Sequence, residues 1–334
     1  MASVARIDVI KRLQHETITI KGLRSAFAGW PFGINQHLDQ VRADVEYTLR
    51  SRFKNHPKLQ KLLRGDYGLL GATWWPCVNY NELLLATYLP LWLFMWDDEL
   101  DSDVGELTHN FNAGQLYRAE TLEFVKTHLG LGDQVVTTSS NGVIQSFDHI
   151  GAALRSSCID QRRTLLKEIQ FFMDTSEVEQ SLRLRTGLVT LDEFSRYRPG
   201  TSAVRVVLAI NQYCYGIDLP AYVTEDPDYD ALWHLTNVNI CSVNDLLSVK
   251  KELAHGSAES LIPILYAELG SAQKAAEQIM RIITLSIAEF DQTAERLVAR
   301  HGGNSAKLAK ELETFIIGCR YDCTGNLAWR YVHL

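Results

Sequence analysis

Two short stretches hold the residues best suited to chemistry. The first, LWLFMWDDELDSDVG (91–105), runs six apolar or aromatic residues into five carboxylates between Asp97 and Asp103. The second, NDLLSVKKE, sets Asn244, Ser248 and Glu252 at i, i+4 and i+8. If Leu83 to Asp101 is helical, Asp97 and Asp101 share a face, and Asp98 lies about 100° away on the same turn. Two carboxylates four residues apart repel, at roughly a few tenths of a kcal/mol, and a divalent cation reverses that cost. Mg²⁺ takes oxygen ligands, keeps several waters and commonly uses one or two carboxylates together with substrate phosphates. Asn244, Ser248 and Glu252 fall within about 80° of one helix face, so an amide oxygen, a hydroxyl and a carboxylate line up as donors for a hard cation. Lys250 and Lys251 lie beside that line and could reach a phosphate as point charges. Each stretch alone has a plainer reading: a solvated acidic helix end, and the polar stripe of an amphipathic helix. Both in one chain, each following an apolar helix, argue against coincidence.

The elements that must position these residues are helices. HLDQVRADVEYTLRSRF (37–53) places Leu38, Val41, Val45, Leu49 and Phe53 at helical steps. The segments 164–184, 231–254, 272–302 and 305–332 also read as long helices, with Gly302-Gly303 as the stop between the last two. Alternating strand patterns of useful length are scarce, and no linker, repeat or low-complexity tract stands out. These features predict one all-α domain of about a dozen helices over 1–334, with the first ~25 residues flexible.

Composition excludes several classes. Of 334 residues 46% are hydrophobic and 22% charged, which supports a substantial core. A net charge of -7 argues against a nucleic-acid binder, though metal ions can reverse the local field for an anionic substrate. No run approaches the roughly 20 apolar residues that span a bilayer, and the N-terminus has no apolar stretch of signal-peptide length. The six scattered cysteines read as reduced thiols, so the sequence predicts a cytoplasmic protein, monomer or homodimer. No Ser-His-Asp arrangement, P-loop or strand-borne GxGxxG appears.

The pair DDELD and NDLLSVKKE resembles the class I terpene synthases, particularly the fungal and bacterial sesquiterpene cyclases, over most of the chain. The resemblance implies an all-α class I terpenoid synthase bundle with a central active-site cavity. It implies that Asp97 and Asp101, with Asn244, Ser248 and Glu252, hold three Mg²⁺ against a prenyl diphosphate, with Asp97 the principal aspartate. It implies a diphosphate-sensing role for Arg198, 46 positions before Asn244, with Thr201 and Ser202 as linker and effector. Pro199-Gly200 should interrupt the helix directly after Arg198 and free backbone carbonyls toward the cavity. Lys251 would join Arg198 on the diphosphate, while Phe94 and Trp329 match positions that line the pocket; Trp74 and Trp75 are further aromatics near it. A plain surface arginine before a helix start and ordinary core aromatics remain alternatives for these residues.

One feature departs from the family pattern. An Arg-Tyr pair usually contacts the diphosphate near the end of the chain, and counting from Trp329 puts it at or just beyond Leu334. Arg330-Tyr331 follows Trp329 too closely and Arg320-Tyr321 precedes it, so either the chain is truncated or one of these pairs substitutes. The implied reaction is ionisation of a prenyl diphosphate, most simply farnesyl diphosphate, and cyclisation of the cation to a sesquiterpene hydrocarbon or alcohol. A diterpene cyclase using geranylgeranyl diphosphate, a chain-elongating prenyl transferase and a catalytically impaired isoprenoid-binding homologue stay open as alternatives. A transferase would need a second aspartate-rich motif where NDLLSVKKE stands.

Overall fold

A computed structural model describes residues 5–101, 107–132 and 138–332. Helices dominate, and among the described residues no strand forms beyond a single bridge between Ala5 and Gly187. Four long helices surround the site and are named here by what they carry: the aspartate helix (Tyr80–Asp101), the triad helix (Pro227–Ala254), the C-terminal helix (Ala306–Val332) and Ile159–Arg183. The short arginine helix (Leu191–Thr201) leans against the last of these.

The aspartate helix is apolar nearly all round, the mark of an interior helix. Leu83, Ala86, Leu89, Trp92, Trp96 and Leu100 are all buried. Two indole hydrogen bonds fix its rotation: Trp92 Nε1 donates to the Val143 carbonyl at 3.0 Å and Trp96 Nε1 to Thr121 Oγ1 at 2.9 Å. With those tryptophans committed outward, Pro90, Leu93, Phe94 and Asp97 share the opposite face, at i, i+3, i+4 and i+7.

The triad helix starts at an Asp226 N-cap, which accepts from the Asp228 amide at 2.8 Å, followed by Pro227 at the first helical position. Asp226 also holds Arg300 and His301, so the helix start is tied to the end of its long neighbour Ala272–His301. The C-terminal helix presses on the helix Tyr67–Trp74, and Gly325 permits this: a Cβ there would lie 2.5 Å from the Thr73 carbonyl oxygen.

The helix break near Arg198 falls later than the sequence suggests. The arginine helix runs through Pro199 and Gly200 to Thr201, and the chain turns at Ser202 and Ala203, where Ala203 adopts a left-handed φ of 56°. Proline removes one amide donor, but the next bonds still form: the Ser202 amide reaches the Arg198 carbonyl at 3.1 Å. Nor does the Pro199 carbonyl point into the cavity; it accepts from Asn237 Nδ2 at 2.7 Å. Gly200 is required by close packing, since a Cβ would sit 2.2 Å from Thr175 Oγ1.

The N-terminal stretch contains the helix Arg6–Leu13, with Val9, Ile10 and Leu13 buried. Arg6 pairs with Glu259 at 2.9 Å and donates to the carbonyls of Arg183 and Arg185. Of the six cysteines, four are buried and Cys77 and Cys158 exposed, all as free thiols. No helix among the described residues is long and apolar enough to cross a membrane.

Candidate active site

Phe94 and Asp97 from the aspartate helix, Arg198 and Ser202 from the arginine segment, Asn244 from the triad helix and Trp329 from the C-terminal helix line one cavity. Six residues spread over 236 positions of sequence thus converge. Apolar side chains complete the wall, among them Leu70, Leu93, Val204, Val207 and Ile240. Trp74 lines it too, whereas Trp75 is buried elsewhere and donates to Asn211 Oδ1 at 2.8 Å.

The five carboxylates of the opening stretch divide their work. Asp97 faces the cavity. Asp98 is held by Lys61 at 2.8 Å and Lys58 at 3.3 Å, and Glu99 lies 3.5 Å from His56. The Asp101 backbone is helical, while its side chain and the whole of Asp103 lie outside the described residues.

Along the triad helix, Ser248 Oγ sits 2.7 Å from the Asn244 carbonyl and within hydrogen-bond distance of Glu252 Oε1. A hydroxyl has one proton, so it donates to one of them at a time and keeps lone pairs for another partner. Burial, then the neighbouring Asp245, push the Glu252 carboxyl above its usual range.

Arg198 is placed by a residue the motif reading passed over. Its terminal nitrogen donates to Asp245 Oδ1 at 2.7 Å; the other oxygen of Asp245, which is fully buried, accepts the Leu261 amide at 3.1 Å. Burial works to lower the guanidinium pKa, but Asp245, with Cys241 and Glu179, outweighs it and raises the pKa well above its usual value. Arg196, two residues away, is exposed and pairs with Asp192.

A second arginine enters the cavity. Arg330 lines it, with its guanidinium 4.8 Å from the Trp329 ring centre. Burial pulls its pKa down to about 10, offset in part by Glu252 and reinforced by Arg198. Arg320 points away and pairs with Asp291 at 2.8 Å; Tyr321 contacts Cys77. Of these four residues Arg330 lines the cavity, while Tyr331 lies against Arg24, 4.2 Å from its guanidinium.

A family profile described as terpene synthase family 2, C-terminal metal binding, matches residues 88–289. The chain belongs to the terpene synthase family. It is 32% identical to a sesquiterpene cyclase, hepA, of Aspergillus oryzae over 95% of this chain and 88% of that one. It is 24% identical to a germacrene A synthase of Nostoc punctiforme, covering 91% and 92% of the two chains. The solved structure of an α-eudesmol synthase superposes with a TM-score of 0.77 at 15% identity over 91% of this chain and 97% of that one, which establishes the all-α class I terpenoid synthase fold.

The residues of this terpene synthase fit a divalent metal. Asn244 Oδ1 and Glu252 Oε2 are buried oxygens without a hydrogen-bond partner, and an unpaired buried acceptor costs about 1–3 kcal/mol unless something satisfies it. Arg198 Nε and Arg330 Nε are buried donors in the same condition. Orphaned acceptors beside orphaned donors are complementary to a cation bound with an anion. Among the described residues no group of three or more His, Cys, Asp or Glu is placed to hold a metal, as expected where amide and hydroxyl oxygens share the task. Lys251 is exposed and outside the cavity lining, although its charge is felt by Arg330 and Lys61. Tyr67 is a further residue missed from sequence. Its ring lies 5.5 Å from Phe94 and 6.3 Å from Trp329, backing the two cavity aromatics.

Proposed function

We propose that this terpene synthase is a Mg²⁺-dependent sesquiterpene cyclase that ionises farnesyl diphosphate and cyclises the resulting allylic cation to a hydrocarbon or alcohol. The observation that carries the reading is one cavity with two chemistries. Arg198, Arg330, Asp97 and Asn244 share it with an apolar wall that includes Phe94 and Trp329.

Asp97, Asn244, Ser248 and Glu252 would hold the metal, three ions by the family pattern, with Asp101 a further ligand. When bound it neutralises the charge that develops on the leaving diphosphate. The chain's own groups do the rest. Arg198 keeps one nitrogen on Asp245 and offers its remaining donors to the diphosphate oxygens; such charge-assisted bonds are the strong kind. Arg330 offers its own from the C-terminal helix, and Lys251 adds positive charge outside. These donors strengthen as the carbon–oxygen bond breaks, so they favour the transition state over the bound substrate. Leu70, Leu93, Val204, Val207 and Ile240 keep water from the cation, and the faces of Phe94 and Trp329 offer it negative quadrupole. Ser202, at the turn after the arginine helix, hydrogen-bonds the Pro199 carbonyl at 3.2 Å and so couples movement of Arg198 to the cavity wall. We take the chain to act as one catalytic domain, monomer or homodimer, in the cytoplasm.

The test is incubation with geranyl, farnesyl and geranylgeranyl diphosphate, each with Mg²⁺, read by gas chromatography–mass spectrometry and by diphosphate release. C15 cyclic products with farnesyl diphosphate are expected. Cyclic C20 products alone would move the assignment to a diterpene cyclase, an elongated diphosphate would make the protein a transferase, and no turnover would leave a binding homologue.

A further inference from the structure

Two lysines that neither motif contains lie against the last described turn of the aspartate helix. Lys61 Nζ lies 2.8 Å and 3.0 Å from the two carboxylate oxygens of Asp98. Lys58 Nζ is 3.3 Å from the same carboxylate and also donates to the Asp98 backbone carbonyl at 2.9 Å. That carbonyl belongs to the last described turn of the helix Tyr80–Asp101. Lys58 thus holds both the backbone carbonyl and the side chain of Asp98.

The lysines do not sit on a loose arm. They flank the start of the short helix Leu59–Arg64, whose Leu62 is fully buried. The carbonyl of Gly65, directly after it, accepts from Trp329 Nε1 at 2.9 Å, so the segment is fastened to the cavity wall. Lys58 is largely buried at 17% side-chain exposure, while Lys61 is half exposed at 53% and free to move away from Asp98. Lys61 and Arg330 lie near enough to Lys251 for their charges to oppose its own.

We propose that Lys58 and Lys61 are built-in counter-ions of the aspartate helix: they hold Asp98 in the metal-free protein, so this helix end takes a divalent cation only together with a diphosphate. A cation approaching alone meets Arg198 and Arg330 in the cavity wall and Lys58 and Lys61 already seated on Asp98. A diphosphate reverses that balance, engages the arginines and gives Lys61 an alternative partner. The order matters chemically, because metal bound first would shield the carboxylates that should draw the metal–diphosphate pair together. Lys58 and Lys61 are thus positioning residues for the aspartate helix, an inference that rests on the metal reading of that helix.

The experiment is Mn²⁺ binding to the whole protein without substrate, followed by the electron paramagnetic resonance signal of free Mn²⁺, with and without pyrophosphate. Without pyrophosphate, Lys61→Gln should bind Mn²⁺ about 15-fold more tightly than wild type, the effect on a divalent ion of a unit charge ~5 Å away in water-like surroundings. Lys61→Arg should behave as wild type, and adding Asp98→Asn to Lys61→Gln should erase the gain. With pyrophosphate, wild type and Lys61→Gln should bind alike. If Lys61→Gln gains nothing while pyrophosphate still promotes Mn²⁺ binding, the counter-ion role is overturned and the metal site stands. If wild type binds no Mn²⁺ even with pyrophosphate, the metal site itself is overturned and this inference with it.

Discussion

Replacing Arg198 by lysine tests the site at its most constrained point. The guanidinium spends one nitrogen on Asp245 at 2.7 Å and keeps Nε buried without a partner. Lysine preserves the positive charge beside Asp245 and removes the planar fork that can serve two partners at once. Alanine would be a poorer choice, because removing one partner of a buried pair strands the other at a cost of about 3–5 kcal/mol in stability. In Arg198→Lys the loss should fall on catalysis. One charge-assisted hydrogen bond to the leaving group, worth about 1.5–3 kcal/mol, corresponds to a fall in kcat/KM of about 10- to 150-fold. The melting temperature should change little. The assay is steady-state release of diphosphate from farnesyl diphosphate, run beside the inhibition constant for pyrophosphate, which should weaken in parallel. Arg196→Lys is the control, since Arg196 is 75% exposed and paired only with Asp192. If Arg198→Lys stays within about threefold of wild type, or Arg196→Lys is the more damaged, the assignment of Arg198 to the diphosphate is wrong.

Other perturbations separate the remaining roles. Asp97→Ala should abolish most turnover while circular dichroism remains helical; full activity would remove the aspartate helix from the metal site. Asn244→Ala and Glu252→Gln should each raise the Mg²⁺ concentration needed for half-maximal rate, and a slower rate with unchanged metal dependence would argue against a shared ion. Phe94→Ala should redistribute products more than it slows diphosphate release; an unchanged product profile would make Phe94 core packing only. Asp226 concerns stability. Burial pushes its carboxyl up, but Arg300 and His301 outweigh this and bring it from 3.8 to about 2. A depressed carboxyl stabilises the fold at pH values above its unfolded pKa and loses that contribution as pH falls through the folded value. Asp226→Asn should therefore lower the melting temperature near neutral pH, and its gap from wild type should close as pH falls from about 4 to about 2; a gap that stays constant would assign the loss to packing.

What could be read from the chain depended on whether partners were close in sequence. The long helices follow from local periodicity, so 272–302 as expected and Ala272–His301 as found differ by one residue. Asp97 and the Asn244–Glu252 line were legible because helical spacing alone fixes which side chains share a face. Asp245 was hidden: it sits between Asn244 and Leu246, and nothing local says its carboxylate reaches across to Arg198. Lys58 and Lys61 were hidden for the same reason, being partners of a residue about forty positions away. Arg330 stood among the candidates as part of an Arg-Tyr pair, but its place in the cavity wall depends on how the C-terminal helix packs, which spacing along the chain does not give. The Pro199 break was displaced by three residues because a proline forbids one hydrogen bond, while the site of the turn is set by packing against Thr175 and by the bond from Asn237.

The contacts of Arg6 bear on how the protein is made. Its guanidinium reaches the carbonyls of Arg183 and Arg185, 177 and 179 residues further on, and the carboxylate of Glu259 beyond them. At about 5–20 residues per second, a ribosome needs roughly 10–35 seconds after making Arg6 before the first of these partners exists. A helix of eight residues is marginal in isolation, so Val9, Ile10 and Leu13 have no buried face to occupy during that wait. This segment, made well before its partners, is therefore among the last to settle. It closes over the segment that leads into the arginine helix and the one that leaves the triad helix only after most of the catalytic chamber has been assembled behind it.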